Sequence, residues 1–119
     1  MDYLVGETMR KIEQWMLQVI KTSRDNARLM HDQTYNKDNT TVITRKREDG
    51  VTVTTVHLHG NMIAQCSASG WGFKMAGWAT PTTKSRINTI ANTVGHPGVY
   101  TRKGKHYSGS KQINAYDWF

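Results

Sequence analysis

Acidic residues are scarce over most of this chain. Residues 40–119 carry only Glu48, Asp49 and Asp117 against ten Lys/Arg, whereas residues 1–39 hold six of each sign. The net charge of +7 therefore arises entirely after residue 39, and with so few carboxylates there, paired-carboxylate chemistry has no foundation in that part. A neutral N-terminal part suits packing or self-association, and a cationic remainder suits an anionic partner such as a nucleotide, a nucleic acid or an acidic protein surface. Cysteine is nearly absent too. Cys66 is alone, which excludes an internal disulfide and a Cys-x-x-Cys metal site and points to a reducing compartment. No stretch approaches the roughly 18 uninterrupted apolar residues of a membrane span, and Asp2 and Glu7 precede any apolar segment, unlike the layout of a signal peptide. A cytoplasmic protein with no membrane partner is expected. No internal repeat or low-complexity tract is present.

What is there divides into two parts: an N-terminal helix over residues 1–34, serving packing or oligomerisation, and a basic α+β domain over residues 40–119. From about Asp2 to Asp32 the residues Val5, Met9, Ile12, Met16 and Val19 recur at alternating spacings of four and three, the mark of a long helix with a narrow apolar stripe. Part of that stripe is expected to be a homo-oligomer interface, and Ser23 and Asn26 should leave its second half less buried. Asp32 to Asn39 is polar and without period, and reads as a linker. Strands follow at Thr40–Arg47 and Val51–His59, with a phase slip near Thr54-Thr55 that predicts a β-bulge, then at Met62–Ser67 and Phe73–Trp78.

A second helix is predicted over about Pro81 to Thr93. Thr80 serves as N-cap, Pro81 takes the first helical position, Ile87, Ile90, Ala91 and Val94 form the apolar face, and Gly95 stands just past the end. A hairpin over Val99–Arg102 and His106–Ser108 and a final edge segment from Ile113 complete an antiparallel sheet of five to seven strands. The fold class is α+β: a long N-terminal helix, that sheet, and one short helix packed on it.

The chemistry concentrates at the start of the second helix. Its free backbone N–H groups, the hydroxyls of Thr82, Thr83 and Ser85, and the charges of Lys84 and Arg86 all favour an anion. Asn88 and Asn92 continue a polar row able to bond a base or sugar. Eight of the eleven aromatics, Trp78 among them, fall in the same part of the chain as Arg102, Lys103, Lys105 and the other cations; rings stack on bases and cations hold phosphates. A well-capped helix with a solvated face, over a small core of Trp and Tyr, accounts for the same residues without a ligand. His57 and His59, two apart on a strand, would share a face but lack a third metal ligand. Cys66 and Ser85 lack the surroundings of a nucleophile. The spacing of His57, Lys105, His106 and Tyr107 does not by itself support ribonuclease chemistry. No enzyme, metal or cofactor is expected.

The stretch Gly77-Trp78-Ala79-Thr80-Pro81-Thr82-Thr83-Lys84-Ser85-Arg86-Ile87-Asn88, the later Val99-Tyr100-Thr101-Arg102-Lys103-Gly104-Lys105-His106-Tyr107 and the upstream His59-Gly60-Asn61 resemble a family of small bacteriophage proteins with a Gly-Trp-x-Thr-x-Thr-Thr-Lys/Arg-x-Arg-Leu/Ile-Asn helix start, over roughly residues 40–119. More loosely, the pattern is similar to the Thoeris anti-defence proteins, which phages use as sponges for cyclic ADP-ribose-type immune signals. The long N-terminal helix departs from that short domain. The resemblance implies a non-catalytic phage protein in the host bacterial cytoplasm, binding a nucleotide-type ligand through Thr82, Thr83, Lys84, Arg86 and Asn88, with Arg102 and Lys103 in the matching hairpin. The alternatives are a nucleic-acid-binding protein using the same surface and a protein inhibitor of a host factor.

Overall fold

A computed structural model describes residues 10–26 and 32–119. Helix α1 spans Lys11–Asn26. Its inward row, Glu13, Met16, Val19, Ile20 and Ser23, advances by three and four residues, the repeat that keeps one face of a helix on a core. Val5 and Met9 of the expected stripe lie outside the described residues. Met16, Val19 and Ile20 join Val42, Val56, Phe73 and Ile87 in a single core, so Met16 and Val19 of the stripe pack on the chain's own sheet, while Ile12 is half-buried outside that core. Ser23, expected near the surface, is fully buried, because its hydroxyl meets Thr44 Oγ1 at 2.7 Å.

Five strands form an antiparallel meander in chain order: β1 (Gln33–Lys37), β2 (Thr40–Lys46), β3 (Thr52–Leu58), β4 (Asn61–Ser67) and β5 (Gly70–Phe73). The region expected as a linker is therefore largely an edge strand. Its polar sequence misleads because Tyr35, opposite Val42, is its one hydrophobic side chain on the core, with polar Gln33 half-buried beside it, while Thr34 and Asn36 lie on the open face. The expected phase slip in β3 does not occur either. Thr54, Val56 and Leu58 alternate inward without interruption, and Thr54 is satisfied in the interior by Thr44 Oγ1 and Arg24 Nη1, each at 2.9 Å. Counting threonine as an outward residue produced the apparent slip. The irregularity sits further on, between Val56 and His57, where Ile63 of β4 is the extra residue and both Ile63 and Ala64 turn inward.

Strand β5 also falls earlier than expected. Gly70-Trp71-Gly72, ahead of the strand expected at Phe73–Trp78, pairs with β4. After Lys74 the chain reverses through Ala76 and Gly77, whose φ values of 54° and 82° end any strand. Helix α2 (Pro81–Val94) then begins and ends as predicted. Thr80 Oγ1 accepts the Thr83 N–H at 3.2 Å, and Gly95 takes the left-handed C-terminal position at φ 74°. A separate three-stranded sheet, β6 (Tyr100–Arg102), β7 (Lys105–Ser108) and β8 (Lys111–Ile113), completes the α+β architecture. Phe119 returns to the main sheet and exchanges two backbone hydrogen bonds with Phe73, at 2.9 and 2.8 Å. Among the described residues, no helix is long and apolar enough to cross a membrane.

Candidate functional site

The Thr80 cap and the reversal before it leave a cleft of about 320 Å³ beside the start of α2, lined by Leu58, His59, Asn61, Ile63, Met75, Trp78, Thr80, Thr82 and Thr83. Leu58, Ile63 and Met75 are core side chains and supply an apolar floor. The polar groups stand at the rim. Trp78 follows the Ala76-Gly77 reversal and leaves 60% of its surface exposed. His59 and Gly60 form the turn from β3 to β4, with φ values of 52° and 81°, the paired positive angles of a type I′ hairpin turn. A non-glycine residue adopts that conformation at some cost, and here it sets His59 over the cleft. An apolar floor with a few hydroxyl, amide and imidazole groups is the usual make-up of a small-ligand pocket.

Three of the residues expected as ligand contacts come together here: Trp78, Thr82 and Thr83. Thr83 is nearly closed off, its hydroxyl 3.0 Å from that of Thr80. The two cations expected beside them do not line the cleft. Arg86 is only 3% exposed and donates from Nη1 to Glu13 Oε2 at 2.8 Å, with longer bonds to Thr40 and Asn39. Ser85 donates to the same carboxylate oxygen at 2.6 Å. A guanidinium taken out of water needs a carboxylate at this distance, so Arg86 acts as a bolt between α2, α1 and the β1–β2 turn rather than as a surface cation. Lys84 Nζ donates to Thr101 Oγ1 at 2.6 Å, tying α2 to the small sheet.

Asn88 also has an internal task. Its amide donates to the Val99 carbonyl at 2.9 Å and accepts the Val99 N–H at 2.8 Å, which fixes the loop between α2 and β6. Asn92 is exposed one turn beyond Asn88, and Arg102 and Lys103 stand exposed on the small sheet, away from the cleft lining. The residues that sequence reasoning left out of the site are His59, Asn61, Thr80, which was expected only as a helix cap, and the apolar floor. A signal for two of them was present in His59-Gly60-Asn61, since a residue followed by glycine between two strands marks a tight turn.

The two histidines expected on one face part company, because β3 ends at Leu58 and His59 belongs to the turn. His57 lies on the open face of the sheet beside Ile43, Arg45, Val53 and Met62. Burial holds its pKa below the usual imidazole range, helped by the charge of Arg45 and opposed by a backbone hydrogen bond to Gly60.

The family model for the Kyanoviridae Gp96 protein matches residues 9–119, and the chain belongs to that small phage protein family. No curated protein and no solved structure matches it. The expected kinship with small bacteriophage proteins is met at this level.

Proposed function

We propose that this phage protein is a non-catalytic binder that sequesters a small nucleotide-type ligand in the cleft at the start of α2, and that it thereby blocks host defence or host metabolism. The observation that carries the proposal is the placement of an exposed indole, Trp78, beside both an apolar floor and a helix N-terminus in one cleft of about 320 Å³. A base can stack on the indole, a sugar can meet the Thr80, Thr82 and Asn61 side chains, and a phosphate can sit at the N-terminus of α2 near His59. Sequestration requires only complementarity and sufficient protein. The likeness of the Trp78–Asn88 motif to anti-defence sponges makes a cyclic ADP-ribose-type signal the first ligand class to test. With Arg86 bound to Glu13 and Lys84 to Thr101, recognition in this proposal rests on neutral donors and the helix end.

The test is native mass spectrometry of the purified chain, followed by titration with AMP, ADP-ribose and cyclic ADP-ribose read by tryptophan fluorescence. One bound molecule per chain is expected, with affinity reduced about tenfold or more in Trp78→Ala, as loss of a stacking surface implies. Absence of binding to all three probes, or equal binding by Trp78→Ala, overturns the proposal. The same spectra report self-association, which the half-buried Ile12 of α1, outside the core cluster, would serve.

A further inference from the structure

The small sheet carries a second surface that the cleft does not use. Tyr100 pairs with Tyr107 and Arg102 with Lys105 across β6 and β7, while Gln112 of β8 lies opposite Tyr107. Side chains two residues apart on a strand share a face, so Tyr100, Arg102, Lys105, Tyr107 and Gln112 all project from one side of this sheet. The opposite side, with Thr101 and Ile113, meets the rest of the chain at two points: Lys84 donates to Thr101, which stays exposed, and Ile113 is buried.

On the outward side the tyrosine rings stack at 5.5 Å between centroids with planes 23° apart. Tyr100 stays 45% exposed, and its hydroxyl donates to the Gly109 carbonyl, which fixes the ring. Lys103 and Gly104 close the hairpin with φ values of 52° and 77°, a type I′ turn whose twist matches the strands and which presents Lys103 at the tip.

The charge is one-signed. No Asp or Glu occurs between Asp49 and Asp117, and the ion pairs among the described residues join Lys21 to Asp25, Arg45 to Asp32, Arg47 to Asp49 and Arg86 to Glu13. Arg102, Lys103 and Lys105 take part in none of these pairs and are all exposed.

We infer that this face is a binding surface for single-stranded nucleic acid, with Tyr100 extending the tyrosine stack to an unpaired base and Arg102, Lys103 and Lys105 neutralising its phosphates. Charge complementarity selects a polyanion. The fixed aromatic stack selects one with free base faces, because a duplex hides its bases in its own stack. The inference does not rest on the cleft.

Fluorescence anisotropy with labelled 20-residue oligo(dT) and oligo(U), against a duplex of equal length, tests it across a salt series. Binding to a single strand with Kd on the order of 1–10 µM at low salt is expected, weakening steeply as salt rises. Arg102→Ala with Lys105→Ala should lower affinity about tenfold and reduce the slope of log K against log salt by about 1.4, two phosphate contacts at about 0.7 each. The exchange Arg102→Lys with Lys105→Arg should restore the slope, separating charge from folding. Tyr100→Leu should weaken binding about tenfold with the slope unchanged, and Trp78→Ala should bind the strand as wild type does. No anisotropy change with either single strand, a duplex bound as tightly, or unaltered binding by the Arg102/Lys105 double variant overturns the inference.

Discussion

The Glu13–Arg86 pair offers the sharpest test of how this chain is held together. Both side chains are almost wholly buried, at 4% and 3% exposure, and Nη1 to Oε2 is 2.8 Å. Glu13→Ala would remove the carboxylate that accepts from both Arg86 and Ser85 and strand a guanidinium whose remaining bonds, to Thr40 Oγ1 at 3.3 Å and Asn39 Oδ1 at 3.4 Å, are long. Breaking one side of a buried ion pair costs about 3–5 kcal/mol. For a domain of this length that corresponds to a fall in Tm of about 12–20 °C. Glu13→Gln keeps one acceptor without the charge and should lose roughly half as much.

The double variant Glu13→Met with Arg86→Met removes both charges at similar volume and should return to within about 2 kcal/mol of wild type, because no charge is then left buried alone. Urea and thermal denaturation at pH 7 measure these variants together with the single Glu13→Met and Arg86→Met variants. A Glu13→Ala protein within about 1 kcal/mol of wild type, or single-variant losses that simply add in the double variant, would refute the reasoning and return Arg86 to the list of residues free to meet a ligand.

Two further perturbations follow from local geometry. Thr80→Ala deletes the cap that accepts the Thr83 N–H and should cost about 1 kcal/mol in denaturation, with Thr80→Asp close to neutral. Lowering the pH should destabilise the fold. Burial beside Phe73 depresses the pKa of His96, a backbone bond to Phe119 opposing the shift, and its Nδ1 accepts the Gly98 N–H at 2.9 Å. With the folded pKa below the unfolded value near 6.5, the unfolded chain takes up protons first as pH falls, and stability is lost through the window below that value. His57, shifted the same way, adds to the effect. Tm measured between pH 7.5 and 5 should decline, and His96→Gln should flatten the decline; a Tm independent of pH over that range would contradict both assignments.

Local chemistry made some elements legible before any contact was known. Helix α2 is the clearest, since Thr80, Pro81 and Gly95 are punctuation whose effect lies within one turn of the residue itself. The Lys103-Gly104 turn is equally local. Strand β1 was not legible, because this edge strand offers the core a single hydrophobic side chain, Tyr35, and its polar remainder reads as a loop. The inward threonines defeated the alternation argument for the same kind of reason. Thr44 and Thr54 belong in the interior only because they bond one another and also Ser23 and Arg24 of α1, partners 10 to 30 residues away in the chain.

At the candidate site the same boundary holds. The sequence by itself determined that a capped, hydroxyl-rich helix start would follow an aromatic residue and that the positive charge would lie after residue 39. Tertiary structure alone decided which of those groups line the cleft. It gave Arg86 to Glu13, 73 residues away, gave Lys84 to Thr101, and brought His59 and Asn61 to the cleft instead. A side chain's identity sets what it can bind. Whether it is free to do so depends on which distant group shares its burial, because in the interior a charge or donor must be matched.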